Sequence, residues 1–309
     1  MITKTHRTST KWMAISAAFA AAFVTVAGAL SVEAAPAAPD AARPPELASG
    51  PTTVFEGRSA YSHFLVRDFR SMRGLYFVRD SGEVVQESEI DRDAPYRMAV
   101  PYTRVMFASY LLRPKQNRSL IVGLGGGAMV HFLRHYDPQQ SIDAVEIDPE
   151  IVAAAQKWFG VKADRQTKLI TQDAFVFLKQ PSAKYDAIYM DAFLKPAGDT
   201  DSTGVPLRMK TAAFLKNDVI TRLKPGGVVV FNINGHPKMD EDLEIIRSVF
   251  PQTYRFGVPG TNNLIVIGST STARLGRQQL ERAGAAVDQK FRADFSFKAV
   301  AGQLMDEPR

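Results

Sequence analysis

The sequence predicts an α/β fold, a doubly wound parallel sheet preceded by a small antiparallel β domain. Three observations carry this expectation. From Ser119 to Asn232 short β-rich runs alternate with helical segments. A glycine loop, Gly123-Leu124-Gly125-Gly126-Gly127, joins the first of those strands to a helix. The stretch before them holds only short β runs separated by turn residues.

Taken from the start of the chain, residues 1–35 differ from the rest. Lys4, Arg7 and Lys11 precede an uncharged run from Trp12 to Val32, and Val32-Glu33-Ala34 offers a site of the small-x-small cleavage type. The segment is expected to be a signal peptide cleaved near Ala35, or an uncleaved membrane anchor with its basic flank inside. Either expectation puts the folded part outside the cytoplasm, periplasmic, secreted or anchored facing outward. Residues 36–51 are rich in Ala and Pro and read as an extended linker.

A small β domain is expected over 52–100, with strands at Thr52–Phe55, Ser62–Asp68, Met72–Val78 and Val84–Gln86. A Rossmann-like domain is expected over 101–270. Pro101 opens a helix to Leu112, with an apolar face of Val105, Met106, Ala108, Tyr110 and Leu111. Strands follow at Ser119–Gly123, Ile142–Ile147, Lys168–Thr171, Ala187–Met190 and Val228–Asn232. Helices near Ala128–His135, Pro149–Trp158 and Thr211–Leu223 separate them, and Thr253–Val258 with Asn263–Gly268 suggests a closing hairpin. Residues 271–309 form a tail, helix-prone at Ala273–Ala283, expected only to pack or cap.

Composition narrows the function. With 38 Lys and Arg against 32 Asp and Glu the net charge is +6, and removing the first 35 residues leaves +4, spread along the chain. That is no nucleic-acid footprint. Five histidines and no cysteine predict no metal site. Phe193, Phe214 and Trp158 are expected in the core.

The candidate site lies at the carboxyl ends of the parallel strands. Gly123, Gly125 and Gly127 let the backbone turn sharply and approach a ligand ahead of a helix N-terminus. Glu146, about twenty residues on at the end of the next strand, can accept hydrogen bonds from both ribose hydroxyls. Asp173, followed by Ala174 after the third strand, can take an adenine amino group or cap a helix. Asp191, ending the fourth, can orient or deprotonate an attacking amine.

Together, Ile121-Val122-Gly123-Leu124-Gly125-Gly126-Gly127, Val145-Glu146-Ile147-Asp148-Pro149, Asp173-Ala174 and Tyr185 to Phe193 resemble the spermidine synthase (polyamine aminopropyltransferase) family, over roughly Thr52 to Gly268. Its divergent spermidine synthase-like branch is most similar, with Gly-Leu-Gly-Gly-Gly, Asp-Ala-Phe and a later Val205-Pro206. The resemblance implies a Rossmann-like, methyltransferase-type sheet. It implies that Gln86 stands beside the active site, Glu146 holds ribose, Asp173 and Ala174 border adenine, and Asp191 is the base of an aminopropyl transfer from decarboxylated S-adenosylmethionine. It also implies a homodimer.

The chain departs from the family at three places. Gly126 stands where the loop of a synthase carries an Asp that grips the aminopropyl ammonium, and Leu194 stands where a second Asp binds amine. In Asp91 to Met98 the family's Tyr is met by Tyr96 but its following Glu is missing. Glu87, Glu89, Asp91 and Asp93 could replace these acids from the β domain or form a solvated face. Three functions stay open: an aminopropyltransferase, an S-adenosylmethionine-dependent methyltransferase, and a catalytically silent exported protein that binds a nucleoside or polyamine.

Overall fold

The structure is a computed structural model and describes residues 50–180, 183–194 and 198–305. The expected signal or anchor segment, nearly all of the linker and the last four residues of the tail lie outside the described residues. Among the described residues no helix is long and apolar enough to cross a membrane. All of them belong to one compact unit, Ala48–Arg309.

The first four strands, β1 (Thr52–Arg58), β2 (His63–Phe69), β3 (Met72–Val78) and β4 (Val84–Asp91), form an antiparallel meander in sequence order. Phe64, Val66, Leu75 and Ile90 are buried on its inner face, as the period-2 pattern requires. Their core is continuous with that of the larger domain, through Phe107 and Phe132. Polar contacts add to this seam: Ser59 and Ser62 each donate a 2.6 Å hydrogen bond to Asp148 Oδ2.

The segment opened by Pro101 is two short helices, α1 (Pro101–Met106) and α2 (Ser109–Leu112), rather than one. The parallel strands then follow as β5 (Arg118–Val122), β6 (Ser141–Glu146), β7 (Thr167–Thr171), β8 (Tyr185–Met190) and β9 (Leu223–Ile233). Between the first four of these strands lie α3 (Ala128–Tyr136), α4 (Pro149–Lys157) and α5 (Ala174–Lys179). Pro149 at the first turn and Asp148, whose Oδ1 accepts from the Glu150 N–H at 2.9 Å, start α4. The helix expected over Thr211–Leu223 is irregular: α6 (Ala212–Phe214) continues as a π turn over Leu215–Val219 and a 3₁₀ turn over Ile220–Arg222.

A helix not expected from the sequence, α7 (Met239–Val249), precedes the closing hairpin β10 (Gln252–Gly257) and β11 (Leu264–Ser269). The seven strands are ordered β10-β11-β9-β8-β5-β6-β7, with β5 to β9 parallel and β10 and β11 antiparallel. The order reverses between β5 and β8, so the crevice at their carboxyl ends is the place for a ligand. The tail is more than a cap. Its helices α8 (Arg277–Phe291) and α9 (Phe297–Gly302) bring Phe291 and Phe297 against Tyr110, inside the main core.

Candidate active site

At that crevice lies a cavity of about 390 Å³, within the range of small-molecule sites. Its floor is the glycine loop. Gly123 and Gly127 hold φ of 93° and 72°, in the left-handed region, and a Cβ on Gly123 would stand 2.2 Å from the Asp191 carbonyl oxygen. The loop is thereby pressed against the end of β8. Gly125 also lines the cavity, whereas Gly126 does not. A Cβ on Gly126 would sit 2.8 Å from the Phe159 ring and 2.9 Å from Ser88 Oγ, so the loop has no space for an acid there.

Glu146 ends β6 and is tied to the loop: its Oε2 accepts the Leu124 N–H and its Oε1 the Asp148 N–H, both at 3.0 Å. Burial raises its carboxyl above the usual range, and these N–H groups partly offset that rise. Asp173 caps α5, Oδ1 accepting the Phe175 N–H at 2.6 Å, and also lines the cavity beside Ala174. Both roles read for it in the sequence are therefore compatible with its position.

Asp191, just past the end of β8, takes two donors: Tyr102 OH at 3.1 Å to Oδ2 and Asn232 Nδ2 at 2.9 Å to Oδ1. Asn232 is itself held by Asn263, whose Nδ2 donates to its Oδ1 at 3.0 Å. Burial raises the Asp191 carboxyl, while the Asn232 and Tyr102 hydrogen bonds pull it down. In turn, burial and the neighbouring Asp191 drive the Tyr102 hydroxyl well above its ordinary value, so Tyr102 stays a donor.

The structure thus brings Gly123, Gly125, Gly127, Glu146, Asp173, Ala174 and Asp191 to one cavity. Gln86 is not among them. It is exposed on β4, and the cavity is lined instead by its neighbours Glu87 and Ser88. The cause is a β-bulge: Leu75 pairs with Ser88 and Tyr76 with Gln86, leaving Glu87 as the extra residue. Tyr96 stacks on His135, with ring centroids 3.7 Å apart, and the tyrosines that line the site are Tyr61 and Tyr102, which no motif marked. Phe193, expected in the core, also lines the cavity, whereas Phe214 is buried.

Charge is the cavity's most telling property. Six acids line it, Glu87, Glu146, Asp148, Asp173, Asp191 and Asp199, and among the described residues no Lys, Arg or His does, although the chain as a whole is basic. Such a field favours a cationic ligand.

A second cluster was invisible to spacing arguments. Asp201, His236 and Asp242 have ligand-type atoms within 4.8 Å of one another. The Lys210 ammonium donates to both carboxylates, which makes the cluster an ion-pair latch of the loop after β8 onto α7.

Comparison with known proteins agrees with this geometry. Residues 101–254 match the spermine/spermidine synthase domain. The chain is 32% identical to the polyamine aminopropyltransferase of Vibrio vulnificus over 240 residues, 76% of this chain and 78% of that protein. It belongs to the spermine/spermidine synthase family. It is also 30% identical to the eEF1A lysine and N-terminal methyltransferase homolog of Drosophila pseudoobscura and 34% to a probable polyamine aminopropyl transferase of Bifidobacterium longum. The matches span only 25% and 36% of the lengths of those two proteins.

Among solved structures, a spermidine synthase in complex with the transition-state analogue AdoDATO aligns with a TM-score of 0.62 at 15% identity, covering 82% of this chain and 85% of that one. Human methyltransferase-like protein 13 in complex with SAH aligns at 0.58 and 24% identity, covering 64% and 95%. These likenesses establish the Rossmann-like, methyltransferase-type fold.

Proposed function

We propose that this protein is an aminopropyltransferase, moving the 3-aminopropyl group of decarboxylated S-adenosylmethionine to an aliphatic amine with Asp191 as base. The observation that carries the reading is the acidic cavity at the carboxyl ends of β5, β6 and β8. The decarboxylated nucleoside and an amine acceptor bring only positive charge to it. S-adenosylmethionine would bring a carboxylate, for which the described lining offers no cationic side chain.

In this reading the loop from Gly123 to Gly127 lets the backbone close on the nucleoside, Glu146 accepts from its ribose hydroxyls, and Asp173 accepts from the adenine amino group. Asp191, fixed by Tyr102 and Asn232, faces the acceptor. The amine lone pair forms the new C–N bond as the C–S bond breaks. The sulfur leaves with that electron pair as methylthioadenosine, and the proton lost by nitrogen passes to the Asp191 carboxylate. Alignment and charge stabilisation supply most of the catalysis, because a sulfonium is already a good leaving group.

The purified protein, given decarboxylated S-adenosylmethionine and putrescine or spermidine, should release methylthioadenosine. Asp191→Asn should lose at least about a hundredfold in rate while keeping nucleoside affinity. Nucleoside binding without release would overturn the reading. One observation favours a second reading, methyl transfer from S-adenosylmethionine: with Gly126 the loop carries no acid to repel that cofactor's carboxylate. Tighter binding of the decarboxylated form, measured by calorimetry, would count against it.

A further inference from the structure

Glu87 is the one acid of the cavity supplied by the small sheet. In a regular strand it would share a face with Val85 and Glu89, opposite Ser88. The bulge between Leu75 and Tyr76 instead lets Glu87 and Ser88 both line the cavity. Its carboxylate has no hydrogen-bond partner among the described residues. Asp199 shares this lack, whereas Glu146, Asp148, Asp173 and Asp191 are each engaged by N–H or O–H donors. The charged groups that act on it are Asp191 from the end of β8, which repels its negative charge, and Arg79 from the end of β3, which favours it. Tyr102 on α1 also feels its charge.

Two carboxylates lining one cavity, Asp191 with two donors and Glu87 with none among the described residues, make a place for a cation with N–H groups to give. The loop below cannot furnish such an acceptor, because Phe159 and Ser88 fill the space a side chain on Gly126 would need. We propose that Glu87 is a specificity-determining residue that receives a primary alkylammonium group of the ligand, held between it and Asp191. The inference rests on the amine chemistry proposed above and assigns it a residue. The group could belong to the aminopropyl arm of the nucleoside or to the amine acceptor, and the experiment separates these sources.

Calorimetry on the full protein would compare wild type, Glu87→Gln and Glu87→Asp against three probes: methylthioadenosine, decarboxylated S-adenosylmethionine, and putrescine added to the methylthioadenosine complex. Glu87→Gln should leave methylthioadenosine affinity within about twofold and weaken an amine-bearing probe by about tenfold or more, the usual worth of a hydrogen bond to a charged group. Loss confined to decarboxylated S-adenosylmethionine assigns the aminopropyl arm, and loss confined to putrescine assigns the acceptor. Glu87→Asp should recover part of the loss. Unchanged affinity for both amine probes in Glu87→Gln, or an equal loss for methylthioadenosine, would overturn the proposal for Glu87 alone. Wild-type protein that binds methylthioadenosine but neither amine probe would remove the aminopropyltransferase reading with it.

Discussion

Replacing Glu87 by Gln should stabilise the ligand-free protein at pH 8 and leave it nearly unchanged at pH 4.5. Burial, and then the Asp191 charge, push the Glu87 carboxyl from 4.5 up to about 7, against the weaker pull of Arg79. The folded state therefore holds this proton more firmly than the unfolded chain. Stability from this group is full below pH 4.5, falls between 4.5 and 7, and above 7 the folded protein bears the whole cost of ionisation. A rise from 4.5 to about 7 corresponds to a ceiling of roughly 3 kcal/mol. Water in the open cavity screens part of it, so a gain of about 1 to 3 kcal/mol is expected. For a domain of this size that is a rise of several degrees in Tm. Thermal unfolding of both proteins across pH 4.5 to 8 reads the difference, which should grow with pH and shrink when a polyamine is added. A difference independent of pH, or a variant less stable at pH 8, would rule out a destabilising Glu87 charge in the folded protein. The native Glu87 in this account lowers the stability of the empty site in exchange for affinity, a common trade at functional positions.

Other substitutions probe the neighbouring features. Gly126→Ala puts a Cβ 2.8 Å from the Phe159 ring and should cost about 1 to 3 kcal/mol in urea unfolding, with Gly126→Asp at least as harmful; a fully stable Gly126→Asp protein would contradict the packing argument. Tyr102→Phe removes a donor that lowers the Asp191 carboxyl, so the acid limb of a pH–rate profile should move to higher pH, and an unmoved limb would dismiss that role for Tyr102. Lys210→Met leaves Asp201 and Asp242 without their shared cation and should cost about 3 kcal/mol at pH 7. Burial raises the Asp201 carboxyl, but Lys210, Thr203 and the Val205 N–H outweigh it and hold it below 3.8, so the Lys210→Met deficit should narrow as pH falls toward and below that value. An equal deficit in acid would point to packing instead.

Most of the site could be read from the chain because its signals are local. Glycines at positive φ and the acids Glu146, Asp173 and Asp191 at strand ends follow from period-2 strands and the loop between them. Gln86 shows where such reading fails. Alternation assigns faces by counting, and one extra residue in β4 shifts the count, so the cavity receives Glu87 and Ser88. Tyr102 was hidden for another reason: it meets Asp191 across 89 positions of sequence, a contact no motif spacing encodes. The Asp201, His236 and Asp242 cluster and the Phe291 and Phe297 contacts with Tyr110 are likewise products of tertiary packing. The irregular segment from α6 to β9 keeps its apolar residues Phe214, Leu215 and Val219 buried, which is why its pattern read as one helix.

In the proposed reaction the acidic cavity carries out aminopropyl transfer. Mass spectrometry of a reaction with purified protein, decarboxylated S-adenosylmethionine and putrescine tests it most directly. Methylthioadenosine and an aminopropylated putrescine should form in equal amounts, at least about a hundredfold more slowly with Asp191→Asn. Intact putrescine beside nucleoside-bound protein, or a methylated product formed from S-adenosylmethionine instead, would contradict it.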